Sequence, residues 1–238
     1  TLVEAGLTKA TLSLHSTDPE TSDRITRLPR AFGKTIAGMH NLRRLGVETQ
    51  IAHVLTKANY RDLPAFVRFL GTEFTYPLPA FGGSVDLPAS AGHLSICLAI
   101  AQGISDLVYD WVIPSFTEIK PFVREALDYC LEHDIGFGGM LGQGGYPPCM
   151  LDGEMKYYAS VLGHIYRSAD HDAQFHKSER CRECSFDPLC VGVRKSYVDC
   201  YGEGELTPFH AEIPDVPRRE PPPAQPLVVL RRKDAHAG

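Results

Sequence analysis

Lys34-Thr35-Ile36-Ala37-Gly38-Met39-His40-Asn41-Leu42-Arg43-Arg44-Leu45-Gly46-Val47-Glu48-Thr49-Gln50-Ile51-Ala52-His53-Val54-Leu55 changes its apolar period once, at Gly46. Before the glycine, Ile36, Met39, Leu42 and Leu45 recur at helical spacing. After it, Val47, Thr49, Ile51, His53 and Leu55 alternate with their neighbours and share one face of a strand. Gly46 supplies the stop between the two. A helix that turns straight into a strand is half of a βαβ unit, so the other half is sought upstream.

Residues 10–17 alternate apolar and polar and predict a strand ending near His15. A polar loop is expected over residues 18–30. Downstream, residues 62–70 predict a helix with Pro64 in its first turn and Leu63, Phe66, Val67 and Leu70 on one side. Residues 74–81 are a third strand candidate, interrupted by prolines. The order β, loop, α, β, α, β implies an α/β fold with a parallel sheet. Residues 82–114 read equally as helix or strand. Ser115-x-x-Glu118 has the form of a capping box and opens a strong helix, with Pro121 in an early turn and Ile119, Val123, Ala126, Leu127 and Cys130 on its apolar side. A glycine-rich strand over 135–141 and a helix over 155–165 complete the expectation. Three segments follow: an α/β body over 1–145, a cysteine-rich, loop-rich extension over 146–210, and a flexible tail over 211–238. From Pro208 onward the chain holds seven of its 18 prolines, hence the extended tail.

The 238 residues suffice for one main domain and an appendage, and a chain this long folds without staples. Lys plus Arg is 24 and Asp plus Glu is 29, a net charge of -5, which disfavours general binding to nucleic acid or anionic membrane. No apolar run approaches the roughly 20 residues of a membrane span, and no export signal is visible. A cytoplasmic protein is expected. The chain begins at Thr1, in what reads as the end of a helix, so preceding sequence is expected.

Seven cysteines are present, an odd number that argues against a disulfide framework. Cys97, Cys130, Cys149 and Cys200 are scattered; Cys181-x2-Cys184-x5-Cys190 is a cluster whose spacing suits thiolates converging on one metal centre. A structural zinc or an iron–sulfur centre needs about four ligands. Cys149, after a Gly/Pro turn, is the first candidate for the fourth; Cys200 and His176 are the others. Lys177, Arg180 and Arg182 flank the cluster and would offset thiolate charge. Cys130 lies on an apolar helix face and reads as a small core residue.

Two stretches together resemble the radical S-adenosylmethionine (SAM) family, in its members with a SPASM- or twitch-type extension. One is Leu12-Ser13-Leu14-His15-Ser16, Asp23-Arg24-Ile25-Thr26, Phe32, Asn41-Leu42-Arg43-Arg44-Leu45-Gly46 and Val54-Leu55-Thr56-x-x-Asn59. The other is Pro148-Cys149, Lys177-x3-Cys181-x2-Cys184-x5-Cys190-x-Gly192, Tyr197, Gly202 and Glu205-Leu206-x-Pro208. The resemblance implies the fourth and fifth βα units of a partial (β/α) barrel of parallel strands, followed by an auxiliary-cluster extension. It implies bound SAM, cleaved by one electron to methionine and a 5′-deoxyadenosyl radical that takes a hydrogen from the substrate. It places Ser13 on the SAM ribose or carboxylate, His15 against SAM or a loop carbonyl, and Asn59 on its own turn or on SAM. It implies an auxiliary [4Fe–4S] cluster on Cys149, Cys181, Cys184 and Cys190. A peptide or small-molecule substrate and a flavodoxin- or ferredoxin-type reductant would be the partners.

The departures are specific. The family's Cys-x3-Cys-x2-Cys loop and its glycine-rich SAM motif are absent, and both would lie upstream of Thr1. Arg194 stands where a further cysteine would follow Cys190, which implies one auxiliary cluster. Arg27 and Arg30 occupy a loop where relatives carry glycines. The competing expectation is a zinc-stabilised binding or structural module without redox chemistry; only one Cys-x2-Cys pair supports it. Hydrolase and phosphate-loop motifs (Gly-x-Ser-x-Gly, Gly-x4-Gly-Lys, His-Glu-x-x-His) do not occur.

Overall fold

The computed structural model describes residues 2–74, 94–100, 112–138, 140–141, 145–158 and 173–213. The body is a parallel sheet of four strands in sequential order: β1 (Lys9–Ser13), β2 (Glu48–Leu55), β3 (Leu94–Ile100) and β4 (Gly136–Gly138). One register row runs Ser13, Ala52, Cys97, Gly138. The connecting helices are α1 (Pro19–Thr26), α2 (Ala31–Arg44), α3 (Leu63–Glu73) and α4 (Phe116–Glu132).

β2 forms as its alternation dictates. Thr49, Ile51, His53 and Leu55 are buried, and the residues between them are half-buried. Their face meets the helices: the His53 ring lies 4.2 Å from that of Phe66 on α3. Phe66, Leu70, Ile51 and Leu55 belong to one core with Phe116, Ile119 and Val123 of α4. Burying a side chain of this kind contributes about 1.5–3 kcal/mol. The residues assigned to the polar loop over 18–30 fold differently, as α1. Asp18 caps it by accepting the Thr21 N–H at 2.8 Å, and Pro19 fills the first turn. Its sequence carries almost no apolar periodicity, so only the cap announces it. α2 starts three residues ahead of the expected boundary because Asp23 reaches across to the N–H groups of Arg30 and Phe32.

The capping box at α4 forms in full: Ser115 Oγ accepts the Glu118 N–H at 3.3 Å, and Glu118 Oε2 accepts the Ser115 N–H at 2.8 Å. The stretch that read equally as helix or strand contains strand β3. The strand expected over 135–141 is shorter, β4 alone. Over 155–165, the described part is a single 3-10 turn, Met155–Tyr157, rather than an α-helix; the remainder from 159 lies outside the described residues. So does the third strand candidate beyond Phe74, which itself closes α3 and is buried.

Among its described residues the extension contains a short antiparallel pair, β5 (Phe175–His176) and β6 (Val193–Arg194), and the helix α5 (Lys195–Tyr201). It is fastened to the N-terminus of α4. Tyr197 stacks on Phe116 with ring centroids 4.1 Å apart, and its hydroxyl accepts the Phe116 N–H at 2.7 Å. Glu205 accepts the Thr117 N–H at 2.7 Å and the Tyr197 hydroxyl proton. The chain from Pro208 is not extended away from the body at its start. The Phe209 carbonyl accepts the Ser185 N–H at 3.0 Å, and Ala211 N–H donates to Ser185 Oγ.

Candidate metal centre and the strand-end site

Three turns bring the cysteine loop together. Cys181 N–H bonds Ser178 O, Cys184 N–H bonds Cys181 O, and Cys190 N–H bonds Phe186 O at 2.9 Å. Ahead of them, Cys149 lies in a 3-10 turn, Pro148–Leu151. That turn is held from both sides. The buried Tyr158 hydroxyl lies 3.2 and 3.1 Å from the carbonyls of Tyr146 and Pro147, and Asp152 pairs with Lys120 and Arg124 of α4 at 2.7 and 2.9 Å.

Cys149, Cys181, Cys184 and Cys190 thereby line one pocket. Its other walls are Pro147, Pro148, Phe186, Leu206, Pro208 and Phe209, with Lys177 and Asp187 at the polar side. Of the proposed fourth ligands, Cys149 is in this wall. Cys200 is exposed on α5, and His176 turns to Glu203. Neither lines the cavity. Among the described residues, no three His, Cys, Asp or Glu side chains are drawn tightly enough to hold a single metal ion.

The cavity strongly disfavours bare thiolates. Burial pushes the Cys149 thiol up to about 12, and the neighbouring Cys190 adds to the effect. Burial likewise takes Cys190 up to about 11. Against this, the sulfurs receive donors: Gly192 N–H reaches Cys190 Sγ at 3.2 Å, the Thr207 backbone reaches Cys149, and Ser178 Oγ lies 3.4 Å from Cys181 Sγ. Lys177 lies between, its ammonium donating to the carbonyl and the carboxylate of Asp187 at 2.7 and 2.8 Å. Four thiols, two of them with backbone donors, and one cation suit a cationic centre that takes up their charge on deprotonation.

The second set lies at the C-terminal ends of the strands. Ser13, the last residue of β1, is exposed. His15 is 8% exposed, and its Nδ1 accepts the Val54 N–H at 3.2 Å. That bond places the ring proton on Nε2. Burial lowers the pKa of His15, so the ring is a neutral donor with a fixed tautomer. Asn59 is spent within the protein. Its Oδ1 accepts Thr56 N–H and hydroxyl at 2.7 and 3.1 Å; its Nδ2 donates to His15 O and Val54 O at 2.8 and 3.0 Å. The structure therefore makes Asn59 the residue that ties the two strand ends together. His53, on the buried face of β2, lies beside this group. Nδ1 donates to Leu14 O at 3.0 Å, and Nε2 is buried without a partner among the described residues. Burial, aided by His15 with ring centroids 6.1 Å away, pushes His53 down to about 3.

No protein-family model matches the chain, and no curated protein matches it at a significant level. No helix among the described residues is long and apolar enough to cross a membrane.

Proposed function

We propose that this chain carries the C-terminal part of a radical SAM barrel and one auxiliary [4Fe–4S] cluster, in an enzyme that modifies a peptide or a natural product. The observation that carries the reading is the meeting of Cys149 with the Cys181-x2-Cys184-x5-Cys190 loop around one largely apolar pocket. When bound, SAM and a catalytic cluster supply a 5′-deoxyadenosyl radical for hydrogen abstraction, and the auxiliary cluster supplies an electron path or a substrate anchor. The four cysteines would hold the auxiliary cluster. Gly192 and Thr207 would steady two of the sulfurs by their N–H groups, and Lys177 would balance the charge.

The four parallel strands in sequential order support the barrel reading. Sites of such folds lie at the C-terminal ends of the strands. There, Ser13 offers a hydroxyl and His15 a neutral N–H donor; both suit the hydroxyl and carboxylate oxygens of SAM. Asn59 orients His15 through its carbonyl and acts as a positioning residue. A flavodoxin- or ferredoxin-type protein would deliver the electron.

The test uses the chain together with any coding sequence found upstream of it, expressed, reconstituted without oxygen and reduced with dithionite. Formation of 5′-deoxyadenosine and methionine from SAM supports the reading. A protein that holds zinc and leaves SAM intact would instead be the structural module.

A further inference from the structure

The loop joining α1 to α2 is built in a conformation that its residues disfavour. Arg27 and Arg30 both lie in the left-handed region, with φ of 54° and 62°. There a β-carbon crowds the backbone and glycine is at ease. Asp23 enforces the shape. Its carbonyl accepts the N–H groups of Arg27 and Leu28, and its carboxylate accepts those of Arg30 and Phe32. Strain that the surroundings hold in place at two positions on one loop points to a use for the side chains.

Those side chains are accessible. Arg27, Arg30 and Lys34 are exposed, and no partner engages their charged ends among the described residues. Leu28, between the two arginines, is 57% exposed. In a chain of net charge -5 this is a local reversal of sign. The topology gives its place. β1 ends at Ser13, and α2 runs back alongside to reach the start of β2, which is parallel to β1. The N-terminus of α2, and with it the loop, therefore stands on the rim where Ser13 and His15 lie.

We propose that residues 27–30, with Lys34, dock the acidic residues of a polypeptide substrate that enters at this rim. Guanidinium groups pair with carboxylates through two parallel hydrogen bonds. Leu28 adds an apolar contact that a segment of mixed acidic and aliphatic residues matches and a bare phosphate does not. The inference rests on the reading above for the class of substrate.

The probe is a fluorescein-labelled peptide of alternating Glu and Leu, with a Lys/Leu peptide as control, in an anisotropy titration of the full chain. The Glu/Leu peptide binds, and binding weakens between 50 and 200 mM salt, as screening of exposed charges at about 10 Å requires. The double variant Arg27→Gly/Arg30→Gly binds about tenfold more weakly, as two exposed charge pairs allow. It melts at or above the temperature of the parent, because glycine relieves the left-handed positions. Arg27→Lys/Arg30→Lys keeps most of the affinity. Equal binding of the two peptides, or unchanged affinity in the double glycine variant, overturns the proposal. So does displacement by inorganic phosphate as effective as by unlabelled Glu/Leu peptide. Iron content, read on the same samples, tests the cluster separately. A failure of peptide binding with iron retained counts against the docking site alone.

Discussion

A β-carbon on Gly192 would overlap the carbonyl oxygen of His176, and Gly192 itself holds φ at 89°. His176 lies on β5, and Gly192 directly precedes its ladder partner Val193 on β6, the antiparallel pair that brackets the cysteine loop. Gly192 also donates its N–H to Cys190 Sγ at 3.2 Å. One position thus closes the loop and steadies a sulfur. Gly192→Ala should cost about 3 kcal/mol from overlap and left-handed strain together. Thermal melting and iron content check it. A variant that melts and binds iron like the parent would contradict the geometry.

Cys149 and Cys200 separate two accounts of the fourth ligand. Cys149 lines the cavity, whereas Cys200 is exposed on α5. Cys149→Ala should lower the bound metal sharply after anaerobic reconstitution, and Cys200→Ala should leave it unchanged. Metal analysis of both variants decides; loss in the Cys200 variant alone would reverse the assignment.

Glu205 and Tyr197 lock the extension to α4, so their loss should loosen the cysteine cavity from a distance. Burial would raise the Glu205 pKa, but hydrogen bonds from Thr117, Tyr197 and Phe116 outweigh it and hold the carboxyl below the usual carboxylate range. A carboxylate with a lowered folded pKa gives its stability above its ordinary pKa and loses it as pH falls through the folded value. Glu205→Gln should cost about 1–2 kcal/mol at pH 7, after allowance for partial exposure, and less at pH 3. Denaturant melts at both pH values test this; an equal loss at both would remove the charge from the account.

His53 imposes a second acid limit. Its folded pKa is about 3 against an ordinary 6.5, the unfolded value. Between those values the unfolded chain binds the proton and the folded chain does not. Stability is therefore fully present above pH 6.5 and falls by about 1.4 kcal/mol per pH unit below it. His53→Leu should flatten the stability curve between pH 4.5 and 6.5 by most of that slope. Urea melts across this range check it, and an unchanged slope would place the acid sensitivity elsewhere.

The sequence was most legible where one physical signal acted alone. The alternation in β2 and the capping box at Ser115 carried straight into the structure, because burial on one face and a cap are local. α1 was hidden, since its eight residues bury only Ser22 and lack an apolar stripe. The start of α2 carries no local signal, because Asp23 caps it from another helix. In the candidate site, the cysteine spacing announced a centre, and the wall through Cys149 depends on Tyr158 and Asp152, residues with no local signal. Asn59 was legible as a turn residue; its bonds to His15 and Val54 span the strand ends and exist only in three dimensions.

Asn59→Ala would remove the two hydrogen bonds that join those strand ends and the two that hold the Thr56 turn. We expect a loss of about 2–3 kcal/mol, since the buried amide's bonds to the Val54 and His15 carbonyls are lost. Asn59→Asp should cost a similar amount, because only the acceptor survives. Equal stability of either variant and the parent would show that Asn59 does not tie the strands.

The most direct test of the central claim is iron and acid-labile sulfide content, with the visible spectrum, of this chain reconstituted without oxygen. The account predicts about four irons and four sulfides per chain, with broad brown absorption. About one zinc per chain and no colour would contradict it and leave a structural zinc module in its place.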